Sequence, residues 1–167
     1  GIKKSSGDIV MRVDADDFCK RDRFKKQLEC FKVGYNLVGS NIQEINEQGK
    51  LLKRRTVPEN STELRRFALR RNPFNHMTIM FRKNLVLNVG GYPNFHLKED
   101  YALWVLLLSQ SDTLPYNIQE CLMLATAGNN MYARRSSYKI FKEELKMQLL
   151  LRKKLGKSLL LVAFDTF

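Results

Sequence analysis

The chain has 167 residues, 44% of them hydrophobic and 28% charged, a make-up that excludes a disordered or fibrous chain and gives one domain with a core of its own. Lys and Arg outnumber Asp and Glu by 29 to 17, for a net charge of +12, which suits an anionic partner: nucleic acid, a sugar nucleotide or acidic lipid headgroups. Cys19, Cys30 and Cys121 are odd in number and widely spaced, which argues against a disulfide frame or zinc site and fits reduced thiols in the cytosol, while the lack of a signal peptide or long apolar run argues against a membrane span.

The first residues read as a helix ending at Gly7, a plausible C-cap. Ile9-Val10-Met11-Arg12-Val13 follows as a short run of β-formers, predicting a buried strand that leads into Asp14-Ala15-Asp16-Asp17. Acids at the carboxyl end of such a strand lie where open α/β sheets place their ligands. Packed closely they repel one another and resist desolvation, so a cation or a donor must compensate. Mg²⁺ commonly takes one or two carboxylates together with substrate phosphates. The structural alternative is that Asp16 or Asp17 caps the following helix.

That helix is expected over Arg21–Val33, with Phe24, Leu28 and Phe31 on its apolar face. Two short strands are expected in Leu37–Ser40 and Ile42–Ile45, then a turn over Asn46–Gly49. Asn60, with Glu63 three residues on, opens a helix running to about Arg71, although Ser61 could serve as its cap. Its cluster of Arg65, Arg66, Arg70 and Arg71 is either a solvated face or an anion site. Met77–Arg82 reads as a strand leading on to Gly90 and Gly91, a turn whose bare backbone could also approach a ligand closely.

Glu99 and Asp100 stand at the start of a helix over Tyr101–Gln110 that is apolar on nearly every side and therefore buried. Capping accounts for one acid and leaves the other for chemistry. A last strand is expected over Asn117–Leu124, followed by a polar loop carrying Arg134 and Arg135, which could clamp phosphate oxygens. From about Ser136 the tail is a basic amphipathic helix, with Ile140, Phe141, Leu145 and Leu149 on one side and Lys139, Lys142 and Lys146 on another, ending in the apolar Leu159–Phe164 run. It suits either an anionic membrane surface or packing onto the domain.

The succession GDIVMRVDADD, NPFNHMTIMFRK, GGYPNF, KEDYALW and GNNMYARRSSYKIFKEE resembles bacterial family 2 glycosyltransferases of the capsule, exopolysaccharide and O-antigen type. The likeness runs over nearly the whole chain, in order and at matching spacing. It implies an α/β, Rossmann-like GT-A fold, matched from just before the Asp-x-Asp onward, so that the first nucleotide-binding strands would lie upstream of Gly1. Residues 1–135 would form a partial catalytic domain and 136–167 the tail.

By that resemblance Asp16, with Asp14, would hold a divalent metal, Mn²⁺ or Mg²⁺, on the donor diphosphate, and Asp17 would support them. On the donor side stand Asp14 and Arg12 from the first strand, Gly90 and Gly91, and Arg134 and Arg135. Asp100, paired with Glu99, would be the base of an inverting transfer from a nucleotide-diphosphate sugar to a saccharide or polyprenyl-linked acceptor. Ser136 and Ser137 stand where relatives tend to carry glycine, and His76 and His96 read as structural or acceptor-side residues. The enzyme is expected in the cytoplasm, peripheral on the inner membrane face through its tail. A nucleic-acid partner rests on net charge alone, with no helix-turn-helix, zinc spacing or RNP-type strand behind it, and is not expected.

Overall fold

The computed structural model describes residues 1–126 and 138–156, the side chains of 138–140 excepted. Among the described residues one six-stranded mixed sheet runs β1–β5–β3–β6–β2, with β4 on the β3 edge. Its strands are β1 (Ile9–Met11), β2 (Phe18–Cys19), β3 (Leu37–Ile45), β4 (Leu51–Arg55), β5 (Met80–Arg82) and β6 (Pro115–Thr126). Helices are α1 (Arg23–Lys32), α2 (Ser61–Phe67), α3 (Lys83–Asn88), α4 (Glu99–Leu108) and α5 (Tyr138–Leu155).

Central strand β3 runs parallel to β6 and antiparallel to β5 and β4. Its alternating side chains serve two cores. Leu37 points with Phe81 and Ile79 into a cluster with Leu64, Leu85, Leu103, Trp104 and Leu107, which carries α2, α3 and α4. Val38 and Met80 point the other way, onto Phe31 of α1. Asn41 fastens the middle, donating to the Gln119 carbonyl where β6 bulges and accepting from the Val57 N–H. Gly39 is needed here because a side chain would meet Asn117 Oδ1 at 2.3 Å.

Several sequence expectations change. The first residues form only a 3-10 turn, Ile2–Lys4, with no helix reaching Gly7. The two short strands are one, because the irregularity is accommodated in β6 and β3 runs through. Helix α1 buries Arg23, Gln27 and Phe31 and leaves Phe24 half exposed, so its inward face is turned relative to its apolar stripe. Asn60 caps α2, its side chain accepting the Glu63 N–H at 3.0 Å, and α2 ends at Phe67 with turns continuing to Arg71. Strand β5 is shorter than expected, since His76–Thr78 forms a 3-10 turn.

Helix α4 is buried along almost its whole length, as its sequence predicts. The tail helix α5 packs Met147 and Leu151 against Tyr101, Ala102 and Val105 of α4. The apolar side named from sequence faces away, with Phe141, Leu145 and Leu149 at 50%, 41% and 54% exposure. Arg134, Arg135 and the Leu159–Phe164 run lie outside the described residues. All three cysteines are free.

Candidate active site

The three acids after β1 are held apart in role. Asp14 takes the Arg12 guanidinium at 2.7 Å. Asp17 accepts the Thr126 N–H at 3.1 Å, and the Asp16 carbonyl accepts the Thr126 hydroxyl at 2.8 Å, so the acidic loop is stitched to the end of β6. Burial, then the neighbouring Asp16 and Asp14, push the Asp17 carboxyl above its ordinary value, with the Thr126 N–H and Arg12 opposing. Asp16 stays exposed, and its carboxylate has no partner among the described residues. Neither Asp16 nor Asp17 caps α1, whose N-cap is Asp22.

The loop is anchored from beneath by a residue the sequence reading passed over. Arg23 is fully buried; its Nη2 donates to the Arg12 carbonyl at 2.9 Å, its Nε to Gln27 Oε1 at 2.8 Å, and its Nη1 lies 2.8 Å from Met123 Sδ. Gln27 in turn donates to the Val38 and Thr78 carbonyls. A polar seam therefore runs under the acids and joins α1, β1, β3 and β6.

Asp100 stands in the first turn of α4. Its Oδ2 accepts from Asn72 Nδ2 at 2.7 Å and its Oδ1 from the Tyr101 N–H at 2.7 Å, which fixes the carboxylate plane. Glu99 beside it is exposed. The chain enters α4 through Leu97 at φ 59°, the left-handed region that few non-glycine residues adopt. From the other side α5 grips this entry: Glu143 accepts the His96 N–H, and Lys98 pairs with Glu144.

His76 and Tyr92 are joined Nε2 to hydroxyl at 2.8 Å, with the His76 ring edge-on to Trp104. Burial holds the His76 ring below its ordinary value, helped by the Arg12 guanidinium and opposed by Asp100, Asp14 and Glu99. Burial pushes the Tyr92 phenol up to about 12, with Arg12 opposing and Asp100, Glu99 and Asp14 adding. The same four charges, from the end of β1 and the start of α4, thus act on one half-buried pair. Arg12, Gly90 and Gly91 share a further hollow of about 700 Å³ with Tyr92 and Val13. Gly90 and Gly91, both at positive φ, close the end of α3.

Asn72 and Tyr92 are site residues that sequence reasoning missed; each stands inside a motif that carried the family likeness, but its role depends on tertiary contact. Among the described residues no three His, Cys, Asp or Glu side chains gather as a metal cage. A free Asp16 beside an Arg-bound Asp14 fits an ion held by one carboxylate and by substrate phosphates.

A mixed sheet among helices, carrying acids beyond one strand and a carboxylate at the head of a buried helix, is a GT-A arrangement. The fold superposes on the crystal structure of residues 1–349 of TarS from S. aureus with a TM-score of 0.62 over 92% of this chain and 43% of that one, at 14% identity. The sequence model of Glycosyl transferase family 2 matches residues 1–92, and the chain belongs to that family. It is 32% identical over 149 residues to the amylovoran biosynthesis glycosyltransferase AmsE of Erwinia amylovora, covering 88% of this chain and 55% of the relative. It is also 32% identical over 154 residues to the UDP-Gal:alpha-D-GlcNAc-diphosphoundecaprenol beta-1,3-galactosyltransferase of Escherichia coli, covering 89% and 54%. The chain spans about half the length of these curated relatives.

Proposed function

We propose that this chain supplies the metal-side acids and the base of an inverting glycosyltransferase. The enzyme moves a sugar from a nucleotide-diphosphate donor to a saccharide or polyprenyl-linked acceptor in polysaccharide assembly. The observation that carries the reading is the convergence of Arg12, Asp14, Glu99 and Asp100 on His76 and Tyr92. In this reading the donor-side and base-side groups share one site.

In this reading Asp100 takes the proton from the acceptor hydroxyl as that oxygen attacks the anomeric carbon. Asn72 and the Tyr101 N–H hold the carboxylate in position for this. Asp16, the unpartnered acid, would hold a divalent cation, and Asp14 keeps Arg12 at the donor side. The chemistry supplied at Asp16 by Mg²⁺ or Mn²⁺, when bound, would be positive charge against the departing diphosphate. Arg12, Gly90 and Gly91 border the donor hollow. Arg134 and Arg135 are proposed as a phosphate clamp. The exposed Phe141, Leu145 and Leu149 of α5 are proposed to seat the enzyme on the inner membrane face. Residues 1–135 and 136–167 would then divide into catalytic part and tail.

The test uses the full-length protein. Mn²⁺-dependent binding of UDP, the nucleotide in the name of the Escherichia coli relative, is measured by calorimetry. Asp16→Ala is expected to abolish the metal dependence. Asp100→Asn is expected to remove transfer while leaving UDP binding unchanged. Turnover retained in Asp100→Asn would reject Asp100 as the base.

A further inference from the structure

Three arginines at the end of α2 remain without a role in that reading. Of the cluster there, Arg65 is spent on structure: its guanidinium donates to the Gln110 and Thr113 carbonyls. Arg66, Arg70 and Arg71 are exposed, and none pairs with an acid among the described residues. They do not merely fringe a convex helix. They line a hollow of about 950 Å³ with a partly apolar floor of Val57, Pro58 and Phe67. Its wall carries one carboxylate, Glu63, which lies toward the helix start and accepts the Glu59 N–H. Three guanidiniums against one carboxylate make the hollow cationic. A fork of N–H donors on each matches phosphate oxygens better than a single ammonium would.

The hollow is fixed relative to Asp100. Arg70 and Arg71 both donate their backbone N–H to the Phe67 carbonyl at 3.0 Å. Arg71 is followed directly by Asn72, whose side chain holds Asp100. On the other side the Tyr101 hydroxyl donates to the Ala68 carbonyl at 2.6 Å. The arginine turn and the head of α4 are thus bonded at two points, and Arg71 directly precedes the residue that holds the carboxylate read above as the base.

We infer that this hollow is the subsite for a diphosphate carried by the acceptor, with Arg66, Arg70 and Arg71 holding its phosphate oxygens while the attached sugar presents a hydroxyl to Asp100. The inference rests on the assignment of Asp100 for its direction, but phosphate binding in the hollow stands or falls separately. A diphosphate of this kind can come from a lipid-linked saccharide or from a water-soluble sugar diphosphate.

The experiment is calorimetry of the full-length protein with inorganic pyrophosphate, in EDTA so that the donor side contributes nothing through metal. The variant is Arg66→Gln/Arg70→Gln/Arg71→Gln, and its charge-matched control is Lys25→Gln/Lys32→Gln/Lys50→Gln. Pyrophosphate should bind about tenfold or more weakly to the arginine variant and within about twofold of wild type to the control. Unchanged binding in the arginine variant, or an equal loss in the control, overturns the proposal. Thermal melts check that both variants fold; if the triple arginine variant does not, Arg70→Gln alone is measured against the same criterion. Vesicles with and without a polyprenyl diphosphate, set against soluble glucose 1-diphosphate, then separate the two sources by which one the arginine variant fails to hold. Metal-dependent UDP binding in the same variant reports on the donor site. Its survival alongside lost pyrophosphate binding supports two separate anion sites, and its loss too overturns their separation.

Discussion

Asn72 donates to one oxygen of Asp100 at 2.7 Å while the Tyr101 N–H takes the other. Asn72 stands just before Pro73, in the turn that leaves α2, so a residue from a different element sets the angle of the carboxylate. Removing it should misplace the proposed base without unfolding anything, because Asn72 is only half-buried. Asn72→Ala is expected to lower kcat by about 10- to 100-fold, since small misplacements of a reacting group cost that much. KM for the donor should stay within about twofold, as donor contacts are untouched. Steady-state kinetics on the full-length enzyme decides it; an equal change in both constants would reject the positioning role.

The buried Arg23 makes the second prediction. Its bonds to Gln27 and Met123 are inside the protein and that to the Arg12 carbonyl is part-buried, and burial depresses its proton affinity with Cys19 opposing. Arg23→Ala would leave the Gln27 and Arg12 oxygens unpaired and open a cavity. The expected loss is about 3 kcal/mol, or a fall in Tm of roughly 6–12 °C for a chain of this size. Arg23→Lys should not restore it, because a single ammonium cannot reach three differently placed partners. Urea denaturation of the three proteins tests this.

These two residues also show what the sequence could and could not tell. The acids after β1, the Asn60 cap on Glu63 and the all-apolar α4 were legible because local chemistry settles them: a cluster of like charges, an N-cap spacing, a helix with no polar side. Arg23 and Gln27 were not, because hydrophobic periodicity pointed to Phe24, and only the neighbouring carbonyls make a polar inward face favourable. Strand β4 gave no signal at all: Leu51–Arg55 is exposed throughout and owes its extended form to the open edge of β3. On α5 the conspicuous Phe141, Leu145, Leu149 stripe was legible, yet the helix packs through Met147 and Leu151 instead. Asn72 lay in a motif whose likeness was seen, but its bond to Asp100 joins residues 28 apart in the chain.

Asp17 gives a pH prediction. Burial raises its carboxyl above the ordinary value despite the Thr126 N–H. An acid whose native pKa is raised weakens the folded state when ionised. That penalty sets in as pH climbs from the unfolded value of 3.8 through the native one, is complete above it, and is absent below 3.8. Asp17→Asn removes the charge and keeps an oxygen to accept the Thr126 N–H. The variant is expected to be more stable than wild type at pH 7 and to lose that advantage as pH falls below the carboxylate range. Paired denaturation curves at pH 7 and pH 3.5 check the sign; an advantage that grows on acidification would refute it.

The exposed side of α5 makes the last prediction. Phe141, Leu145 and Leu149 are spaced by four and stay half exposed even though the helix is docked on α4. Lys142 lies beside them, and Arg152, Lys153 and Lys154 fill the last turn. No described helix is long and apolar enough to cross a membrane, so contact would be along the surface, apolar side chains entering the headgroup boundary and lysines meeting anionic lipid. Replacing all three apolar residues with Ser should weaken binding to anionic vesicles at least about tenfold, given the apolar area removed. Because those side chains touch little of the fold, stability should move by no more than about 0.5 kcal/mol. Neutral vesicles should bind both proteins more weakly than anionic ones, and raising salt should release the wild type. Equal co-sedimentation of the variant and wild type with anionic vesicles would mean that this face serves something other than a membrane.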